Sequence, residues 1–191
     1  MDLEHRHIQQ ALRGDAASFS YLVTRYKDLA FAIAIRILEN EQEAEEAVQD
    51  AFVQAFRKIG SFRGDSRFST WLYRIVVNHS LTRAKKRKRM VPYADLELAE
   101  NRIEAIESSY HQLTQQDQTK YINLALEKLA PEDRIVLTLY YLDEQTLAEV
   151  AVITGISKDN IKMRLHRARR KMYGVLSNLL DVELNTMKHD G

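Results

Sequence analysis

The sequence contains no cysteine. Disulfide staples, thiol nucleophiles and thiolate zinc sites are therefore excluded, and a reducing compartment is suited. It has two prolines and six glycines in 191 residues, few for a sheet protein that must turn at every strand end. No apolar run approaches the ~20 residues a membrane span needs. Met1-Asp2-Leu3-Glu4-His5 lacks the basic-then-apolar order of a signal peptide. The expectation is a soluble cytoplasmic chain with no membrane contact of its own. There is no metal-spaced His/Glu cluster, no glycine-rich phosphate loop and no nucleophile motif. The chain is expected not to be an enzyme and to use no cofactor, metal or catalytic residue.

What is present points to helices. Apolar residues make up 45% of the chain, enough to bury a core, and Leu, Ala, Glu, Lys, Arg and Gln are good helix formers. Net charge is only +1, but it is unevenly laid out. Residues 61–91 carry nine basic side chains and one acidic; residues 158–191 carry eight and four. The stretches before them are net acidic. A polyanion touching both basic blocks accounts for this layout, as does a chance segregation of charge onto solvated faces.

Periodicity gives the organisation. Asp15 can cap a helix with a stripe at Leu22, Tyr26, Leu29, Ile33 and Ile37. Asn40, with Glu43 three residues on, starts a second helix. Its apolar stripe is Ala44, Val48, Phe52, Ala55 and Ile59, and its outer face carries Glu41, Glu45, Glu46, Gln49 and Asp50, four of them acidic. After the loop Gly60–Arg67, a third helix runs from about Phe68 to Lys88 with Trp71, Leu72, Ile75 and Val76 inward. Pro92 stops it. The fold expected is all-α: two small helical domains, residues 1–89 and 118–180, joined by a flexible linker at 90–117 and followed by a disordered tail at 181–191. In the second domain, helices are expected over about Gln118–Leu129, from Pro131 through Leu142, over Thr146–Ile153, and from Ser157 to about Leu180.

Ala151, Gly155 and Ile161 have the spacing of a helix-turn-helix. A small residue lets two helices cross, glycine allows the turn, and the isoleucine packs the second helix back. That second helix carries Lys158, Lys162, Arg164, His166, Arg167, Arg169, Arg170 and Lys171, with Asp159 and Asn160 in its first turn. Early residues of such a helix reach base edges and later cations reach phosphates. Asn160, Lys162, Met163, Arg164 and Arg167 are the candidates to face DNA; the plain alternative is a helical hairpin with a solvated basic face. In the first domain, Phe62, Arg63, Arg67, Phe68, Trp71, Tyr73 and Arg74 interleave cations with rings. Single-stranded nucleic acid needs both. Trp71 is in part a core residue on this reading, whereas Tyr73 and Arg74 lie off the stripe.

These motifs resemble a known family. The run Glu43 to Phe52 looks like the polymerase-binding helix of extracytoplasmic-function (ECF) sigma factors, in the sigma-70 superfamily. Phe62 to Ile75, then Asn78, resembles their segment that melts and reads the −10 promoter element. Leu129 to Arg134, through Leu165 to Arg169, is similar to their −35-reading domain. The resemblance implies partners: core RNA polymerase, through its β′ clamp helices and β subunit, promoter DNA, and in many members an anti-sigma factor. It implies that Val48, Gln49, Asp50, Phe52 and Phe56 lie on or beside the clamp helices. The loop Ser61–Arg67, with Phe62, Arg63, Asp65, Ser66 and Arg67, would hold a flipped-out base. Trp71, Tyr73, Arg74 and Asn78 would line the opened strand, and Arg83, Lys85 and Lys86 would hold upstream duplex. Lys158, Asn160, Lys162, Met163, Arg164, Arg167 and Arg170 would face the −35 element. Two departures stand out: Met163 where a small polar residue is common, and Thr146-Leu147-Ala148 for a frequent Ser-Tyr-Glu. A decoy that sequesters an anti-sigma factor without binding DNA is the rival; it should lose the DNA-facing cations and rings that this sequence keeps.

Overall fold

The structure, a computed structural model, describes residues 3–87, positions 106 and 110, and residues 113–189. Most of the expected linker at 90–117 lies outside these residues, and its last three positions already belong to a helix that starts at Gln115. The described regular structure is helical: α1 (Leu3–Leu12), α2 (Ala16–Leu38), α3 (Glu41–Lys58), α4 (Phe68–Arg87), α5 (Gln115–Glu127), α6 (Pro131–Leu137), α7 (Leu147–Thr154) and α8 (Lys158–His189). No described helix is long and apolar enough to cross a membrane.

Local chemistry sets most of the boundaries. Asp15 accepts hydrogen bonds from the Ala17 and Ser18 amides at 3.4 and 3.1 Å, so two orphan donors of α2 are satisfied. Asn40 does the same for Glu43 N–H at 2.8 Å, and Thr114 for Asp117 N–H at 3.2 Å. Thr146 and Glu149 form a reciprocal capping box at the start of α7. Pro131 opens α6, where its missing N–H costs nothing. A π-helical segment, Thr138–Leu142, continues α6 and turns Tyr141 and Leu142 outward, 51% and 47% exposed.

Gly155 ends α7 at φ 72° and its N–H bonds Ala151 C=O at 2.9 Å. A β-carbon added there meets no atom within 4 Å. Gly155→Ala therefore costs the left-handed backbone alone, about 1 kcal/mol. The urea midpoint should fall accordingly, and an unchanged midpoint would contradict the turn geometry.

The structure adds one helix and departs from three expectations. The segment before Asp15 is a helix: α1 buries Ile8 and Ala11, and His7 stacks on Tyr21 at 4.0 Å and bonds the Ser18 hydroxyl. Leu29 is 54% exposed and Ala30 fully buried, because the stripe passes through the i+4 neighbour of Tyr26, where a small residue lets helices approach. The tail expected to be disordered continues α8 to His189. Tyr73 is buried, 7% exposed, for the reason that follows.

The two helical units pack on each other. α4 lies against α2 and α3 on one side and against α7 on the other, while α6 meets α2. Phe68, Thr70, Leu72, Tyr73, Ile75, Val76, Val77, Ser80 and Ala84 are all buried. A helix apolar on most of its circumference must be covered on most of it. One core runs from Ile8 to Ala168 across both units. Arg134, 2% exposed, ties them at the centre. It donates to Leu126, Glu127 and Leu129 C=O at 2.7, 2.8 and 3.0 Å and to Arg36 C=O at 2.9 Å. It also pairs with the Glu39 carboxylate.

Candidate nucleic-acid interface

Because α4 is covered on two sides, its remaining face is narrow. Arg74, Asn78, Thr82, Lys85 and Lys86 are exposed, at the three- and four-residue steps that make one stripe. Arg67 and half-buried Trp71 extend it toward the loop. Lys85 lies 3.9 Å from Glu132, and Arg67 lies 3.9 Å from Glu149. Both cations are largely exposed, so these are loose contacts that salt and a phosphate compete with readily. Glu149 is held below the usual carboxylate range, first by the backbone and hydroxyl of Thr146 and to a lesser degree by Arg67.

Arg83 departs from expectation. Its guanidinium donates to Glu46 at 2.9 Å and Asp50 at 2.6 Å on α3, and Asp50 is the first cause of its raised pKa. It staples α4 to α3 and offers little free charge to a duplex. Tyr73 departs further: burial, with Asp143 and Glu4 nearby, pushes its phenol up to about 12. In this arrangement its ring is part of the core and no base can reach it.

The loop before α4 is built on rings. Phe62, Phe68 and Trp71 form a triangle with centroids 5.5 to 5.6 Å apart, and Tyr26 lies 5.7 Å from Phe68. Edge and tilted contacts of this kind hold rings rigidly. Arg63, Asp65 and Arg67 are exposed above them, and the Ser66 hydroxyl donates to Arg67 C=O at 3.3 Å. A cavity of about 490 Å³ opens here, lined by Arg63, Ser66 and Arg67 of the loop, by Tyr26, Phe62 and Phe68, and by residues of α1. The α1 wall was missed by the sequence reading.

On α3, Gln49 and Asp50 are exposed and Phe56 is 47% exposed, its ring edge on Phe19 at 5.1 Å. Val48 and Phe52 are buried, at 8% and 9%, so they support the helix from within. Val53, missed in the sequence, is 51% exposed and sits between Gln49 and Phe56. The outer strip of α3 is thus Gln49, Val53 and Phe56, apolar at its centre.

On α8, Ile161, Leu165 and Ala168 face inward. Lys158, Asn160, Lys162, Met163 and Arg167 are exposed, with Met163 at 59%. Arg170 is half-buried. Arg164 leans back to within 3.6 Å of Asp133 and Lys171 to within 3.5 Å of the same carboxylate. The outward face of the second helix-turn-helix element is therefore centred on Met163 and Arg167, with Arg164 at its edge.

Comparison with known proteins decides the family. Residues 22–90 match the profile of Sigma-70 region 2 and residues 119–172 that of Sigma-70, region 4. The chain belongs to the ECF sigma factors. It is 33% identical over 185 residues to the ECF RNA polymerase sigma factor SigW of Bacillus subtilis, covering 91% of this chain and 97% of that one. It is 30% identical over 169 residues to the ECF RNA polymerase sigma-E factor of Escherichia coli K12, covering 85% and 88%. CnrH, solved in complex with the cytosolic domain of CnrY, superposes with a TM-score of 0.58 at 26% identity, covering 95% and 99%. In this sigma factor the region 2 match holds most of α2 with α3 and α4, and the region 4 match holds the helix-turn-helix. α1 precedes both.

Proposed function

We propose that this sigma factor binds core RNA polymerase through the Gln49–Val53–Phe56 strip and reads a promoter at two places. The α4 stripe Arg67, Trp71, Arg74, Asn78 and Lys85 takes the opened −10 strand. The α8 face of Asn160, Lys162, Met163 and Arg167 takes the −35 duplex. Tyr141 and Leu142 are the exposed apolar pair suited to the β subunit. The units at 1–89 and 118–180 act as the two reading heads. An anti-sigma factor is the expected regulator, consistent with the fold shared with a CnrH solved against a protein partner. The single supporting observation is that both cationic faces stay exposed although the helices bearing them are packed into one core.

That packing carries a condition. α7 lies between α4 and α8, and packed helix axes stand about 8–10 Å apart. The two faces are thus about 20 Å apart on this stacking, whereas sites two turns apart on DNA are about 70 Å apart. The units must separate to engage both elements, and polymerase is the scaffold that holds them open. The decoy reading is disfavoured, because a decoy has no use for free cations on both faces. The test is run-off transcription with core enzyme, with gel shifts in its presence and absence. Promoter-specific transcripts and weak binding by the chain alone are expected; tight specific binding without polymerase counts against the proposal.

A further inference from the structure

Within the promoter-reading role just proposed, we infer that Glu4 of α1 is a specificity-determining residue. It selects, at one −10 position, a flipped base bearing an exocyclic amine over thymine. The cavity beside the loop has the parts that a displaced base requires. Half-buried Phe62, held in place by the buried ring of Phe68, is the ring on which a base can stack, and exposed Arg63 and Arg67 meet the backbone. The reading element is on the wall that α1 supplies.

Glu4 enters that wall with its carboxylate held in place. Tyr26 O–H donates to Oε1 at 2.7 Å, and Arg25 Nε–H donates to Oε2 at 2.8 Å. The side chain keeps 21% of its surface exposed and lines the cavity. An ionised carboxylate only accepts, with about four lone-pair sites. Two are used by these donors, so others remain to face an occupant. A flipped base is read on its Watson–Crick edge. Adenine, cytosine and guanine each present an exocyclic amine there. Thymine presents a single N–H between two carbonyls, which a carboxylate repels. Arg25 balances the carboxylate charge against the DNA phosphates.

The experiment uses polymerase holoenzyme reconstituted with the full chain and a pool of fork-junction DNAs carrying a randomised −10 non-template strand. Bound DNA is recovered and sequenced. The wild type should deplete thymine at one position. Glu4→Gln, which adds an amide donor, should raise thymine there about tenfold, the scale of one base contact, and leave other positions alone. Tyr26→Phe keeps the ring but frees the carboxylate, and should blur the same position with the fold intact by circular dichroism. If Glu4 only staples α1 to α2, the variants shift the melting temperature and the base profile stays unchanged; that overturns the inference while the sigma role stands. If wild-type holoenzyme enriches no sequence at all, the sigma role and the inference fall together.

Discussion

Arg134→Met should lower the stability of the free chain by about 3–5 kcal/mol, the range for removing one partner of a buried ion pair. No other described cation is as buried: its side chain is 3% exposed. The fork reaches carbonyls at the C-terminal end of α5 and beyond it, Leu126, Glu127 and Leu129, and Arg36 C=O in the last turn of α2. Those carbonyls have no further helical turn to bond them, and a cation at two helix C-termini is also favoured by both dipoles. Glu39 follows α2 in the left-handed region at φ 54°, a conformation a glutamate adopts at some cost, and its carboxylate pairs with the same guanidinium. Methionine fills the volume but satisfies none of these acceptors. For a chain of this size the melting temperature should fall by roughly 10 °C. Arg134→Lys should recover only part of the loss, because an ammonium cannot fork across four oxygens. Chemical denaturation of the two variants measures this. A loss below about 1 kcal/mol for Arg134→Met, the scale of an exposed pair, would show that the carbonyls find water and that Arg134 is not the tie between the units.

Arg134 also marks where the sequence stops being readable. What was legible was local. Asp15, Asn40 and Thr146 announce their helices because a cap acts within three residues, and Gly155 announces its turn by the same short range. α1 was missed since a ten-residue segment with His5, Arg6, Gln9 and Gln10 outward shows only Ile8, Ala11 and Leu12 as a pattern. Leu29 was misplaced because spacing alone does not tell the i+3 from the i+4 neighbour of Tyr26; the buried one is Ala30, chosen by how closely α2 approaches its partners. The surroundings of Tyr73 and Arg83 were not legible for a non-local reason. Tyr73 is off the stripe Trp71, Leu72, Ile75 and Val76, but it is buried all the same, with Asp143 and Glu4 near its phenol. Arg83 sits in a basic run, and its partners Glu46 and Asp50 lie more than thirty residues earlier on α3. Their acidity reads as an outer face until α4 is laid beside it. The candidate faces themselves were legible as composition, and the structure narrows each to the residues that packing leaves free.

That narrowing yields the prediction with the largest functional effect, a division of labour between Arg74 and Arg167. Arg74 stands on the exposed stripe of α4 beside Trp71 and Asn78, where a displaced strand would lie. Arg167 stands at the centre of the α8 face, whereas Arg164, the more obvious choice from spacing, is drawn 3.6 Å toward Asp133. A contact to a base or its phosphates is worth about 1–3 kcal/mol, or roughly five- to 150-fold. Arg74→Ala should reduce strand opening by at least about fivefold, on that scale, with closed-complex affinity little changed. Arg167→Ala should weaken the closed complex by a similar factor and leave the opening step, once bound, near its normal rate. Arg164→Ala should do less than Arg167→Ala, since part of its charge is already met. Permanganate footprinting reports opening, and a heparin-free gel shift with holoenzyme reports the closed complex. Equal losses in both assays for Arg74→Ala and Arg167→Ala would mean that the two faces do not act at separate steps. A larger loss for Arg164→Ala than for Arg167→Ala would mean that the Asp133 contact opens on DNA and that the face is centred one residue pair earlier. Each outcome follows from which side chains the shared core has turned outward, so the assays test the packing as directly as they test the chemistry.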